Sequence, residues 1–167
     1  MSDNDDQVRG FASPACSRHE LDEAGFRGMD RSGVLSQLNE LLEGERAGAR
    51  GLRDTRAEFS DAELGRVIEE VGRDEARYCA MLTRHIERLG GTPSRETGVF
   101  YDKLLQRPDT VARLELLDRG QQAVVRALER LLALTLDAEL RADLEEMRDR
   151  HVHNIRRCAE FLQTGED

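Results

Sequence analysis

Four polar residues stand where the helical spacing of this chain calls for apolar ones. Glu45 lies seven residues after Leu38 and seven before Leu52, and Glu75 holds the same place between Ile68 and Leu82. Gln121 falls between Leu114 and Leu128, and His151 between Leu144 and Cys158, again at seven-residue steps. Seven residues are nearly two helical turns, so each polar side chain points the way its apolar neighbours point. Their heights agree as well. Glu45 and Glu75 are each fifteen residues from a turn at Ser60, and Gln121 and His151 are each fifteen from a turn at Leu136. A rise of about 1.5 Å per residue puts all four roughly 22 Å from their own turn, so they should converge.

Burying two carboxylates costs several kcal/mol unless something offsets it. A cation would do so, and oxygen and imidazole donors suit Fe, Mn or Zn. Protonation or a hydrogen-bonded cluster would serve equally. Tyr78 is one turn beyond Glu75, Asn154 one turn beyond His151, and Asp118 one turn before Gln121. These three, with Gln121, are candidates for supporting hydrogen bonds or weak ligation. Gly44, Gly48 and Gly120 flank the same level. A glycine costs a helix about 1 kcal/mol relative to Ala, so close helix approach or room for a ligand would account for them.

The elements that must place these residues are helices. Val34, Leu35, Leu38, Leu41, Leu42, Ala49 and Leu52 mark a first helix over roughly 33–58. Ser60 with Glu63 reads as a capping box opening a second, built on Leu64, Val67, Ile68, Val71, Leu82, Ile86 and Leu89 and ended by Gly90-Gly91 and Pro93. A long connection follows, with a short helix near Val99–Leu105. A third helix starts about Asp109 on Val111, Leu114, Leu117, Val124, Leu128, Leu131 and Leu132. Asp137 caps a fourth, on Leu140, Leu144, Met147, Ile155, Cys158 and Leu162. Two short connections make two antiparallel hairpins, and the long one between helices two and three crosses the bundle. The expectation is an all-α, four-helix bundle over 32–167, preceded by a polar arm over 1–31 that starts acidic at Asp3–Asp6.

Composition agrees. At 167 residues the chain is about one domain long, and with 4% aromatics and no Trp it is too poor in strand formers for a sandwich or barrel. A net charge of −9 disfavours nucleic acid and anionic membrane surfaces as partners. The first thirty residues carry no legible signal or transit peptide, and no run approaches the ~18 apolar residues of a membrane span, so a cytoplasmic location is expected. Cys16, Cys79 and Cys158 are too few and scattered for a disulfide framework. Cys79 and Cys158 read as small core residues, and His85 and His153 as half-exposed positions beside the stripes. Cys16 and His19, spaced C-x-x-H in the arm, are either half of a zinc site or a plain anchor for the arm.

The segments LLEGERAGAR and RDEARYCAML resemble helices one and two of rubrerythrin-like proteins, and the chain as a whole resembles the ferritin-like superfamily. Together ASPACSRHE, LNELLEGERAGAR, DEARYCAML, TGVFYDKLL and RGQQAVVRAL are similar to a small bacterial ferritin-like family of unknown function, over about residues 12–160. The resemblance implies a two-metal site, with a lone Glu on two helices and Glu-x-x-His on the other two. Glu45 and Glu75 match. Tyr78 stands at the place of a His, Gln121 at that of a Glu, and His151 and Asn154 at those of a Glu and a His.

Three readings of the site follow. It is a relic, a hydrogen-bonded core that fixes helix register; or one Fe, Mn or Zn ion is held by Glu45, Glu75 and His151; or two metals are retained. The matching functions are a ferritin-like protein with a modified site, a metal-dependent oxidoreductase with Tyr78 as proton or electron donor, and an interaction module without metal. A homodimer suits such a bundle, though no apolar face argues for it.

Overall fold

The structure is a computed structural model and describes residues 25–164. Among them are four long helices and one short one: α1 (Arg31–Asp54), α2 (Ala62–Arg88), α3 (Phe100–Leu105), α4 (Thr110–Leu134) and α5 (Ala138–Thr164). Each long helix starts on an aspartate. Asp30, Asp61, Asp109 and Asp137 accept the backbone N–H three residues on, from Gly33, Leu64, Ala112 and Leu140, at 2.7–2.8 Å. A carboxylate there both satisfies an orphan donor and meets the positive end of the helix dipole.

Three expectations need correcting. The cap of α2 is Asp61 rather than Ser60, which is exposed one residue before the cap. α1 stops at Asp54 instead of reaching residue 58; Thr55 folds its hydroxyl back onto the Gly51 carbonyl (2.8 Å), and Arg56–Glu58 continues as a 3-10 turn. Val111 is half exposed rather than part of the core, while Arg113 and Leu114 of the same turn are buried.

The hairpins and the crossover are as the connections require. α2 ends where Gly90 takes φ +74°, a conformation that favours glycine, and Arg31 at the start of α1 donates its Nε to the Leu89 carbonyl (2.5 Å). The end of α2 also meets the start of α5, where Arg88 forks onto Asp137 (2.9 Å, twice). At the opposite end Thr110 of α4 reaches the Glu58 carbonyl (3.3 Å). So α1 and α5 run one way and α2 and α4 the other, and the 89–109 segment must travel the length of the bundle.

It does so along a polar stripe of α1. Asn39 exchanges hydrogen bonds with Thr92 and Ser94, Glu43 accepts from the Ser94 hydroxyl, Arg46 donates to the Ser94 and Glu96 carbonyls, Arg50 to Thr97, and Asp54 accepts from Tyr101. Positions 39, 43, 46, 50 and 54 repeat at helical spacing on a face distinct from the core stripe.

The core is in two pieces. One holds Val34, Leu38 and Leu42 with Leu82, Ile86, Leu128, Leu131, Leu140 and Leu144; the other holds Leu52, Ile68, Val71, Leu104, Leu114, Leu117 and Cys158. The polar level lies between them. Above it, the end of the chain's arm lies on the α4–α5 turn: Phe26 is buried, and Arg27 donates to the Leu134 carbonyl (2.8 Å). Cys16, His19 and the rest of the arm lie outside the described residues. Among the described residues no helix is long and apolar enough to cross a membrane.

The capping geometry gives a direct test. Asp61→Ala should lower stability by about 1 kcal/mol in urea denaturation, with Ser60→Ala within about 0.5 kcal/mol of wild type. The reverse order would return the cap to Ser60.

Candidate functional site

Glu45 of α1, Glu75 of α2, Gln121 of α4 and His151 of α5 occupy one buried level, each at most 4% exposed. They are joined in two pairs. His151 Nε2 lies 3.2 Å from Glu45 Oε1, and Gln121 Nε2 donates to Glu75 Oε1 at 2.6 Å. His151 Nδ1 faces the Met147 carbonyl at 2.9 Å, which only an N–H can satisfy. Nδ1 is therefore protonated, and the contact at Nε2 needs a second proton shared with Glu45. Burial alone would push the His151 pKa down; the Glu45 charge, its hydrogen bond and the Met147 carbonyl outweigh that and raise it. That shared proton joins the two side chains across the core.

Glu75 is driven the other way. Burial, and after it the charge of Glu45, hold its carboxyl well above the ordinary carboxylate range, with the Gln121 bond only partly opposing them. Three oxygens of the level, Glu45 Oε2, Glu75 Oε2 and Gln121 Oε1, have no hydrogen-bond partner among the described residues.

The flanking residues behave differently from one another. The Tyr78 ring packs on His151 (centroids 5.6 Å apart), but its hydroxyl turns outward, donating to Glu146 (3.0 Å) and accepting from Arg77 (2.8 Å). Asn154 is buried and gives its amide N–H to Asp74 (3.2 Å). Asp118 is held by Gln122 on the outer side of α4 (2.8 Å). Asp74, Arg77 and Glu146 were not legible as part of this surround. Their contacts depend on how α2 and α5 are rotated against each other, which apolar spacing leaves free.

His85 corrects another expectation. It is fully buried instead of half exposed, with Nδ1 accepting from Arg88 (3.2 Å) and Nε2 bonded to Asp143 (2.7 Å). This network ties the end of α2 to the start of α5, away from the polar level. Burial pushes the thiols of Cys79 and Cys158 up to about 12, so neither is a ready nucleophile.

The glycines account for the space. A Cβ on Gly48 would sit 2.0 Å from Glu75 Oε2, so that carboxyl fills the place a side chain would take. Gly120 makes room for the Phe100 ring of α3, and a Cβ on Gly44 would meet nothing within 4 Å. Around them a cleft of about 260 Å³ opens between α1 and α4, with Glu45, Glu75 and Gln121 among its lining.

The family model for DUF6306, a domain of unknown function, matches residues 32–160. The chain belongs to this family. Its fold is that of ferritin-like proteins. A ferritin-like, diiron-carboxylate protein from Bacillus anthracis str. Ames superposes with a TM-score of 0.71 at 22% identity, over 81% of this chain and 99% of that one. The second similar structure is a two-domain protein from Anabaena variabilis ATCC 29413 with DJ-1/ThiJ/PfpI-like and ferritin-like domains. It gives a TM-score of 0.67 at 19% identity, over 98% of this chain and 45% of that one. No curated protein matches the chain.

Among the described residues of the DUF6306 chain, the donor set that the ferritin-like resemblance implies for a two-metal centre is incomplete. Of the six positions that the ferritin-like resemblance would fill, only Glu45, Glu75 and His151 have an anionic or imidazole group. Gln121 is neutral, Tyr78 is directed at Glu146, and Asn154 at Asp74. Among the described residues no three His, Cys, Asp or Glu side chains stand close enough to share an ion.

The electrostatics predict a pH dependence. Glu75 binds its proton more tightly folded than unfolded, so its contribution to stability is complete below the ordinary Glu range and is lost as pH rises through the raised value. His151, also raised, acts in the same direction above its own ordinary range. Glu75→Gln should therefore be neutral to about 2 kcal/mol more stable at pH 8, with a shallower decline from pH 5 to pH 8 than wild type in urea melts. A marked loss of stability at pH 8 would mean that an ionised Glu75 holds the site together.

Proposed function

We propose that this chain is a ferritin-like protein whose modified central site is a hydrogen-bonded polar core, free of metal in its resting form and competent for at most one ion. The observation that carries this reading is the pairing of the level with itself, His151 with Glu45 and Gln121 with Glu75. A metal would have to displace the proton between His151 and Glu45, and that competition with the proton weakens metal binding near neutral pH. The core then acts as a register-setting layer, in the way single polar residues fix register in helical assemblies.

One observation favours a second reading, a single Fe, Mn or Zn ion in a metal-dependent oxidoreductase. The unpartnered oxygens of Glu45, Glu75 and Gln121 are all metal-donor atoms. Glu45, Glu75 and His151 would have to draw closer together to hold the ion, with the Gln121 oxygen beside them. Bound Fe or Mn would supply redox chemistry, and Zn Lewis acidity.

Metal content separates the two. Tag-free protein expressed with added Fe, Mn and Zn should carry well under one ion per chain by mass spectrometry, as should the Glu45→Ala/His151→Ala double variant. About one ion per chain, lost in the double variant, would establish the second reading. Two per chain would show that donors beyond these three take part.

A further inference from the structure

The outer face of the α1–α2 hairpin carries another cleft, of about 410 Å³, that none of Glu45, Glu75, Gln121 and His151 lines. Helical spacing builds it. On α1 and the turn that follows it, Ala49, Arg50, Arg53 and Arg56 come at steps of one or three residues, and on α2 so do Glu69, Gly72, Arg73 and Ala76, so each set shares a face. Small residues at 49, 72 and 76 leave the space, and the buried side chains of Leu52 and Ile68 give it an apolar floor. From this floor and the guanidiniums above it we propose that the cleft binds a small phosphate monoester with an apolar body, its phosphate between Arg50 and Arg73 and its hydrocarbon over Leu52 and Ile68. This site stands apart from the central level and from its metal-bound or metal-free state.

Arg50 and Arg73 flank the floor. A Cβ on Gly72 would meet the Leu52 Cβ at 3.6 Å, which sets these two residues side by side. α1 and α2 run antiparallel, so Arg50, two residues before Leu52, and Arg73, one after Gly72, lie at nearly the same height on opposite walls. Both are exposed, and neither makes an ion pair among the described residues. Arg50 gives one donor to the Thr97 hydroxyl (2.9 Å) and lies over the Tyr101 ring, both neutral partners that leave most of its five donors open. The acids around them are engaged elsewhere: Asp54 with Arg53 and Tyr101, Glu69 with Arg56, Glu70 with Arg157, and Asp74 with Asn154.

Charge decides the class of ligand. The chain carries a net charge of −9, yet this rim holds four arginines and one carboxylate. The pairs Arg53–Asp54 and Arg56–Glu69 cancel, leaving Arg50 and Arg73 for an anion of two charges. A phosphate monoester has two above its second pKa of about 6, and its three terminal oxygens suit the planar forks of two guanidiniums. A polyanion such as nucleic acid is repelled by the acidic remainder of the chain. The apolar floor rewards burial of a hydrocarbon, which a bare phosphate lacks. At about 410 Å³ the cleft has the size of a small-ligand site.

The test is calorimetric titration of the full chain at pH 8, in a buffer without phosphate, with n-hexyl phosphate, inorganic phosphate, n-hexanol and hexanoate. Hexyl phosphate should bind one per chain, at least about tenfold more tightly than each of the other three. Arg73→Gln should weaken it at least about tenfold without lowering the melting temperature, because Arg73 makes no ion pair or hydrogen bond among the described residues. Ala76→Leu, which fills the cleft from an exposed position, should weaken it by a similar factor. Arg119→Gln, on an exposed face of α4 outside the cleft, should leave it unchanged. No binding of hexyl phosphate, equal binding of hexanol, hexanoate or inorganic phosphate, or insensitivity to both Arg73→Gln and Ala76→Leu would each overturn the proposal. Equal weakening by Arg119→Gln would reduce the effect to net charge and overturn it too.

Discussion

A carboxylate in the middle of a helical bundle must be matched by a partner or a proton, and this bundle has two of them on one level. The match comes from all four long helices, with α5 neutralising α1 through His151 and Glu45, and α4 bonding α2 through Gln121 and Glu75. The apolar halves on either side could tolerate some sliding, because leucine against leucine is nearly indifferent to small shifts. The level could not. A shift of one turn on any helix would strand a buried polar group or charge, at a cost of up to several kcal/mol, which is what makes a register-setting role the reading proposed for this layer.

The same level explains features that otherwise look like weaknesses. Glycine in a helix interior is unfavourable, yet Gly48 is the reason the Glu75 carboxyl can lie against α1, and Gly120 the reason Phe100 can close one side of the cleft. Phe100 arrives there because α1 carries two functional stripes. Its apolar stripe faces the core, and its polar stripe, from Asn39 to Asp54, guides the crossover over the outside of the bundle. The wall of the cleft and the path of the crossover are therefore consequences of one helix.

Much of this was legible in the sequence, and the reason is periodicity. A polar residue at seven-residue spacing inside an apolar stripe has its direction fixed by the helix itself, so Glu45, Glu75, Gln121 and His151 could be placed before any contact was known. The caps at Asp109 and Asp137 were equally local. What escaped depends on relations between helices. The Tyr78 hydroxyl points at Glu146, and His85 is buried under Asp143, because of how α2 rotates against α5. The polar stripe of α1 was overlooked because charged residues on a helix normally face water, and only the crossover gives these a partner. Ser60 and Asp61 are both good caps, and adjacent candidates cannot be ranked by type alone.

The substitutions at the site are coherent when their charges are added together. A two-metal centre needs several anionic donors to neutralise its ions. Here the positions in question hold a phenol, an amide, an imidazole and a second amide, at Tyr78, Gln121, His151 and Asn154. What remains is Glu45, Glu75 and His151. A proton lies between His151 and Glu45, and burial favours a second on Glu75, so the level is short of the negative charge that a pair of metal ions needs. Admitting a divalent ion requires protons to leave first. The balance thus weighs against a pair of metal ions, and it does so through the residues that depart from the ferritin-like pattern.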